Sequence, residues 1–334
     1  EFLPWQDLLS YLDAILRVYN RYGRRDNKYK ARIKILVKAL TPEVFAEKVE
    51  AEMAHLRGGQ TTLTDAEVHR VAKHFVDPDY KTLSNQDAEL AALDQQHPGF
   101  ARWRTRNTLA HKKPGYVAVT LSLKPTGVAP GDVTDKQFDA IADLADRYSF
   151  GQLRTSHEQN IILADVEQSQ LFTLWGELRE NGFATPNIGL LTDIICCPGG
   201  DFCSLANAKS IPIAESIQRR FDDLDYLFDI GELDLNISGC MNACGHHHVG
   251  HIGILGVDKK GEEFYQVSLG GSASRDASLG KILGPSFAQD DMPDVISKLI
   301  DVYVEQRTED ERFIDTYQRI GIDLFKERVY AANH

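Results

Sequence analysis

All five cysteines of the chain lie in or beside two short stretches: CPGGDFC, from Cys197 to Cys203, and SGCMNACGHHH, which holds Cys240 and Cys244; Cys196 stands just before the first. Thiolates are soft metal ligands, so four of them in two pairs point to a metal centre before any other chemistry. The pairs are spaced x5 and x3. Structural zinc sites favour pairs two to four apart, which makes the first loop long for zinc. A cubane iron–sulfur cluster tolerates more varied spacing because its irons stand at the corners of a cube. Pro198, Gly199 and Gly200 let the backbone turn closely around such an object, and amides in glycine-rich turns donate hydrogen bonds to its sulfurs. Spacing alone favours a cubane over zinc and over unliganded thiols, and leaves all three open. Cys196 reads as a small buried hydrophobe.

Directly after Cys244 come His246, His247, His248 and His251. Read as a strand, HVGHIGILG sends these side chains to different faces, so a separate histidine metal site is not expected. At most one or two of them meet a cofactor or substrate.

The rest of the chain must position the thiols. Its 334 residues, 43% apolar, are enough for two or three domains with real cores. A net charge of -12 argues against nucleic acid. No run approaches the length of a membrane span, and no signal peptide is expected from the opening residues. An odd number of clustered cysteines fits a reducing compartment, which predicts a cytoplasmic protein. The opening EFLPWQ lacks a methionine, which predicts a fragment or processed product.

LLSYLDAILRVYNRYG predicts a helix with Leu8, Leu12, Ile15, Leu16 and Tyr19 on one face. Helix continues from Lys30 to Leu56 with a break at Thr41-Pro42, and residues 57–99 read as linker with short helices. From Tyr116 the pattern becomes strand (GYVAVTLSL, half-buried by its alternation), helix (DKQFDAIADLADRYS, capped by Thr134), strand interrupted by a polar bend (GQLRTSHEQNIILADV), and helix ending at Gly182. That order suggests a ferredoxin-like sandwich. LANAKSIPIAESIQRRF reads as helix, LDLNISGC, HIGILGV and FYQVSLGGS as strands, and the end of the chain as two helices.

Taken together, DIICCPGGDFCSLANAKS and ISGCMNACGHHHVGHIGILG resemble the paired motifs of the siroheme-containing sulfite and nitrite reductases. NTLAHKKPGYVAVTLSLKPTG, GQLRTSHEQNIILADV and YQVSLGGS resemble second-half segments of that family, in order, and RIKILVKALTPEVFAEKVEAE resembles the helix ending its first half. The resemblance implies an α+β fold: a helical segment over 1–108, a ferredoxin-like half-domain over 109–190, and a mixed α/β siroheme and [4Fe-4S] domain over 191–334. It implies that Cys197, Cys203, Cys240 and Cys244 hold a [4Fe-4S] cluster, with Cys244 also axial to the siroheme iron. Siroheme is rich in carboxylates, and the donors expected for it are Arg154, Gln159, Asn160, Asn207, Lys209, Asn242 and the amides of Leu269 to Ser272.

The implied activity is that of an assimilatory sulfite reductase, taking sulfite to sulfide with six electrons, or of a nitrite reductase forming ammonia. A zinc-stabilised binding module and a haem-free electron-transfer domain are the other readings. The anion-clamping basic residues belong to the family's first half, so this chain is expected to need that missing N-terminal half, as part of a longer enzyme or as another polypeptide. No nucleotide motif is present, so electrons are expected from a separate flavoprotein or ferredoxin, with KYKARIK and RWRTR as candidate docking patches. Arg102, Arg104, Arg106, Lys112 and Lys113 otherwise read as a solvated basic surface.

Overall fold

The computed structural model describes residues 2–275 and 277–331. The chain divides after Tyr80 into two compact units.

In the first unit, α1 (Leu8–Tyr22), α2 (Ile33–Leu40), α3 (Pro42–Leu56) and α4 (Asp65–Ala72) follow the predicted pattern, with the break at Thr41. Its small core joins Ala14 and Val18 of α1 to Val49 and Met53 of α3. Thus α1 buries Ser10, Ala14 and Val18, whose small side chains let α3 approach, while Leu8, Leu12 and Leu16 lie exposed. The buried carboxylate of Glu52 is held by Arg21 at 2.9 Å and Arg17 at 3.5 Å.

The second unit opens with α5 (Asp87–Gln96) and α6 (Pro98–Asn107). These are no loose linker, because Leu90, Phe100 and Trp103 enter a core with the sheet that follows. That sheet is antiparallel, with order β1-β2-β4-β3: β1 (Thr108–Ala110), β2 (Tyr116–Leu121), β3 (Arg154–Thr155) and β4 (Ile161–Glu167). Helices α7 (Asp135–Tyr148) and α8 (Leu171–Glu180) supply Ile141, Leu144, Leu171 and Leu174 to the same core. Thr134 caps α7 in a reciprocal box with Gln137. The alternation in GYVAVTLSL suggested a half-buried strand, yet β2 is buried on both faces, Thr120 included, and so is Ser122 just after it. Asn107 donates to the Thr120 carbonyl at 3.0 Å, and Ser122 Oγ donates to Asn187 Oδ1 at 2.7 Å.

A mixed five-stranded sheet completes the unit, in the order β5-β6-β7-β8-β9: β5 (Ile195–Cys196), β6 (Leu235–Ser238), β7 (Ile252–Lys259), β8 (Glu262–Leu269) and β9 (Lys281–Ile282). The first three strands run parallel and the last two antiparallel. The helices here are α9 (Gly199–Phe202), α10 (Ile211–Arg220), α11 (Leu224–Ile230), α12 (Met292–Gln306), α13 (Phe313–Ile320) and α14 (Asp323–Tyr330). Ile237, Ile254, Val267, Ile217, Ile296 and Phe325 meet in one core. Two expectations are corrected. Residues 205–210 are not helical, because the Asn207 and Ala208 amides turn aside to the Gly239 carbonyl. The final helix is two, α13 and α14, separated at Gly321 with φ +75°.

Candidate functional site

Strands β5 and β6 are parallel neighbours, with Cys196 opposite Ile237. Each ends directly in a cysteine motif, so the sheet delivers both motifs to the same edge. The carboxyl ends of parallel strands are where open α/β sheets place their ligand sites. The two loops then interlock. Cys197 donates its amide to the Ile237 carbonyl at 3.1 Å, and the Gly239 amide donates to Cys197 Sγ at 3.1 Å. The Gly239 carbonyl accepts from Asn207 at 2.8 Å and Ala208 at 3.1 Å. A Cβ on Gly239 would sit 2.9 Å from the Gly199 Cα, so this crossing requires glycine. Ser210 Oγ lies 3.5 Å from Cys197 Sγ, and Ser238 Oγ accepts from the Gly245 amide at 3.1 Å.

None of the five cysteines is in a disulfide. Cys240 is buried, Cys197 and Cys203 are partly buried and Cys244 is exposed; Phe202 and Met241 in the two motifs are exposed as well. Burial pushes the Cys196 thiol up, with the neighbouring Cys197 adding to the shift, and its Sγ donates to the Cys197 carbonyl at 3.2 Å. Among the described residues no three His, Cys, Asp or Glu side chains gather to hold a single metal ion. Zinc would need its ligands around one point, whereas a cubane takes thiolates at separate corners.

The other predicted residues occupy distinct places. Arg154 lies exposed on β3, and among the described residues its side chain has no ion pair or hydrogen bond. Gln159 uses both ends of its amide on Cys196: Oε1 accepts from the Cys196 amide and Nε2 donates to the Cys196 carbonyl, each at 2.8 Å. Asn160 is buried, donating to Asp193 at 3.0 Å and accepting from the Leu123 amide at 3.1 Å. Asn207 and Asn242 are partly buried in the first and second loops. Lys209 is exposed and 3.8 Å from Asp201. Of the LGGS amides, Gly270 already donates to the His251 carbonyl and Ser272 to that of Ser278, both at 3.0 Å, which removes them as free donors.

The histidines lie in turns before β7 begins at Ile252, so their separation comes from those turns and not from strand alternation. His246 and His248 are exposed. His247 is buried, its Nδ1 has no partner among the described residues, and burial with the adjacent His248 lowers its pKa to about 4. His251 accepts from the Asp234 amide through Nδ1 at 3.1 Å; burial lowers its pKa although the Asp234 carboxylate opposes the shift. In RWRTR, Arg102 pairs with Asp225 at 2.6 Å, Arg104 with Asp94 and Arg106 with Glu232 at 3.6 Å, so acidic neighbours offset that patch.

Sequence reading missed Lys124, Asp193 and Ser210. Lys124 is fully buried and bonds Asp193, as described below. A lysine three residues past a strand and an aspartate far along the chain carry no local signal of pairing.

The second unit thus combines a ferredoxin-like half-domain with a mixed sheet that presents four thiols on interlocked loops. Comparison with family models gives the kinship of that combination. The nitrite and sulphite reductase 4Fe-4S domain matches residues 1–56 and 190–333, and the nitrite/sulfite reductase ferredoxin-like half domain matches residues 110–181. The chain belongs to the nitrite and sulphite reductase family. It is 26% identical to sulfite reductase [ferredoxin] 2 of Mycolicibacterium paratuberculosis, across 96% of this chain and 53% of that protein. It is 28% identical to the chloroplastic ferredoxin–nitrite reductase of Betula pendula, across 83% and 42%. The solved NirA protein of Mycobacterium tuberculosis superposes with a TM-score of 0.64 at 24% identity, covering 97% of this chain and 54% of that one. The chain spans about half the length of the curated relatives it matches.

The family implies a [4Fe-4S] cluster and siroheme as cofactors. The donor set fits them: four unpaired thiols on two interlocked loops, a backbone amide already aimed at one sulfur, and Cys244 open to a second group.

Proposed function

We propose that this chain is the siroheme and [4Fe-4S] part of a reductase that takes sulfite to sulfide. Cys197, Cys203, Cys240 and Cys244 would hold the cluster, with Cys244 shared with the siroheme iron. The observation that carries the reading is the delivery of both cysteine loops from β5 and β6, tied by the Gly239 amide on Cys197 Sγ. When bound, the two groups together would supply the electrons for reduction of an anion. The chain's own part is to hold and tune. The Gly239 amide and the Ser210 hydroxyl stabilise charge on the Cys197 sulfur, and burial of Cys240 shields that corner from water.

Arg154, the exposed cation without an ion pair on the ferredoxin-like sheet, is the first candidate for a siroheme carboxylate, with Asn207, Lys209 and Asn242 next. Gln159 and Asn160 act from behind the loop, since their amides are already engaged. Likeness to a nitrite reductase at 28% identity supports ammonia formation from nitrite as the second reading. The proposal keeps the three-part division at 108 and 190, a ferredoxin as electron donor, a first lobe to complete the anion clamp, and a cytoplasmic, sulfur-assimilating role. Among the described residues no helix is long and apolar enough to cross a membrane.

The test is an absorbance spectrum with iron and sulfide analysis on chain made in cells supplied with siroheme. A haem band with about five irons per chain is expected. Cys244→Ser should lose the haem band and most of the iron, while Cys196→Ser should leave the spectrum nearly intact. Zinc alone, or greater sensitivity at Cys196, would overturn the assignment.

A further inference from the structure

Just behind Cys197 lies a buried polar assembly that the cluster reading does not require. Lys124, three residues past β2, has a side chain with 0% exposure. Its ammonium donates to the Glu158 carbonyl, to the Asp193 carbonyl at 3.2 Å and to Asp193 Oδ1 at 2.7 Å, so all three protons are placed. The Asp193 carboxylate also accepts from Asn160 at 3.0 Å and from the Gly189 amide at 2.9 Å, so both of its oxygens are bonded. Lys124 therefore ties the bend that carries Gln159 to the loop that leads into β5.

Gln159 makes the second tie. Strand β5 is the edge of its sheet, and β6 pairs only one side of it. On the other side the Cys196 amide and carbonyl would be unpaired, and an unpaired buried backbone group is expensive. The side-chain amide of Gln159 fills both, acting as a one-residue strand. Gln159 holds this pose at φ +59°, which a glutamine rarely adopts. A Cβ on the facing Gly131 would lie 3.0 Å from the Gln159 Cβ, so that glycine makes the room.

Filling the same volume with apolar groups is commonly neutral or better for stability. Stability alone therefore does not account for a fully satisfied lysine–aspartate pair and an amide clamp converging on the residues before Cys197. We propose that Lys124, through Asp193, and Gln159, through Cys196, are positioning residues that fix the Cys197 sulfur for the cluster. The inference rests on the cluster reading above and deepens it.

The test compares cluster-loaded chains of all 334 residues. Gln159→Met removes the clamp at similar size. Lys124→Met with Asp193→Leu replaces the pair by apolar groups and avoids stranding a buried charge, the fate of either single change. Tyr303→Phe is the control, because it deletes buried hydrogen bonds to the Ile230 and Glu311 carbonyls, outside the cysteine loops. The readouts are the rate of cluster loss to an iron chelator and the electron paramagnetic resonance spectrum of the reduced cluster. Both loop variants should lose the cluster at least tenfold faster than wild type, with altered resonance positions, while Tyr303→Phe matches wild type in both. A loop variant that behaves as wild type overturns its residue's role, and a control that behaves like the loop variants overturns the inference. A wild-type chain that takes up no cluster instead sinks the cluster reading, and the inference with it.

Discussion

Helices α1 and α12 look like two copies of one plan with opposite outcomes. Both are fifteen residues long, both lie in segments matched by the same 4Fe-4S domain model, and both carry an aliphatic stripe. Val18-Tyr19 near the end of α1 has its counterpart in Val302-Tyr303 of α12. Further on, LTPEVFAEKVEA (Leu40–Ala51) and IGIDLFKERVYA (Ile320–Ala331) share Phe, Glu, Val and Ala at matching positions. The junctions agree as well, with Thr41 at φ +73° and Gly321 at φ +75°. Yet α12 buries Met292, Val295, Ile296, Leu299 and Ile300 in a core shared with β6, β7 and β8, whereas Leu8, Leu12 and Leu16 of α1 are 45%, 48% and 61% exposed. The first unit has no strand among its described residues. An apolar stripe thus states that a face is suited to burial, and only a partner surface decides whether burial happens.

The contrast is sharpest under truncation. Leu299→Ala should destabilise the larger unit by about 2–5 kcal/mol, the usual cost of a cavity at a fully buried site. Leu16→Ala should change the first unit by no more than about 0.5 kcal/mol. Hydrogen exchange measured by mass spectrometry assigns each effect to its unit. Equal effects would mean that the α1 face is covered in solution.

Acid should separate the units next. His247 is buried and neutral, with its pKa lowered to about 4, whereas His55, His69 and His74 of the first unit are all exposed. In the unfolded chain His247 regains a pKa of about 6.5 and binds a proton that the folded state refuses. Its contribution is therefore fully present above about pH 6.5 and is lost as pH falls toward about 4. The larger unit should soften over that window, and His247→Gln should flatten the loss; an unchanged pH profile in that variant would assign the loss elsewhere.

The smallest effect concerns the two junctions. At φ +73° and ψ 154° Thr41 occupies backbone space essentially reserved for glycine, at a strain of about 1–3 kcal/mol. Thr41→Gly should accordingly stabilise the first unit by about 1 kcal/mol, and Gly321→Thr should destabilise the second by a similar amount. Thermal melts read with exchange protection decide it. A loss of stability in Thr41→Gly would show that the threonine side chain earns its place by contacts.

Much of the fold was legible because it rests on local rules. Thr134 with Gln137 opens α7, Pro42 opens α3, and alternation marks β2, all within a few residues. Reading failed where distant groups intervened. The stretch before α10 looked helical, yet the Gly239 carbonyl, some thirty residues away, pulls its amides aside. Gln159 and Asn160 are expected as cofactor donors; their amides bond Cys196 and Asp193, partners that no local pattern announces.

What the sequence by itself determined is the chemistry available: four thiols in two glycine-rich loops, the strands that lead into them, and the order of the half-domain. Spacing, glycine conformational freedom and side-chain periodicity act over a few residues and can be read in line. The tertiary structure alone decided that β5 and β6 lie side by side, that Gly239 donates to the Cys197 sulfur, that Lys124 and Asp193 meet across the fold, and that α12 is covered where α1 is not. Those outcomes depend on which surfaces exclude water together, and that is a property of the packed chain rather than of any segment within it.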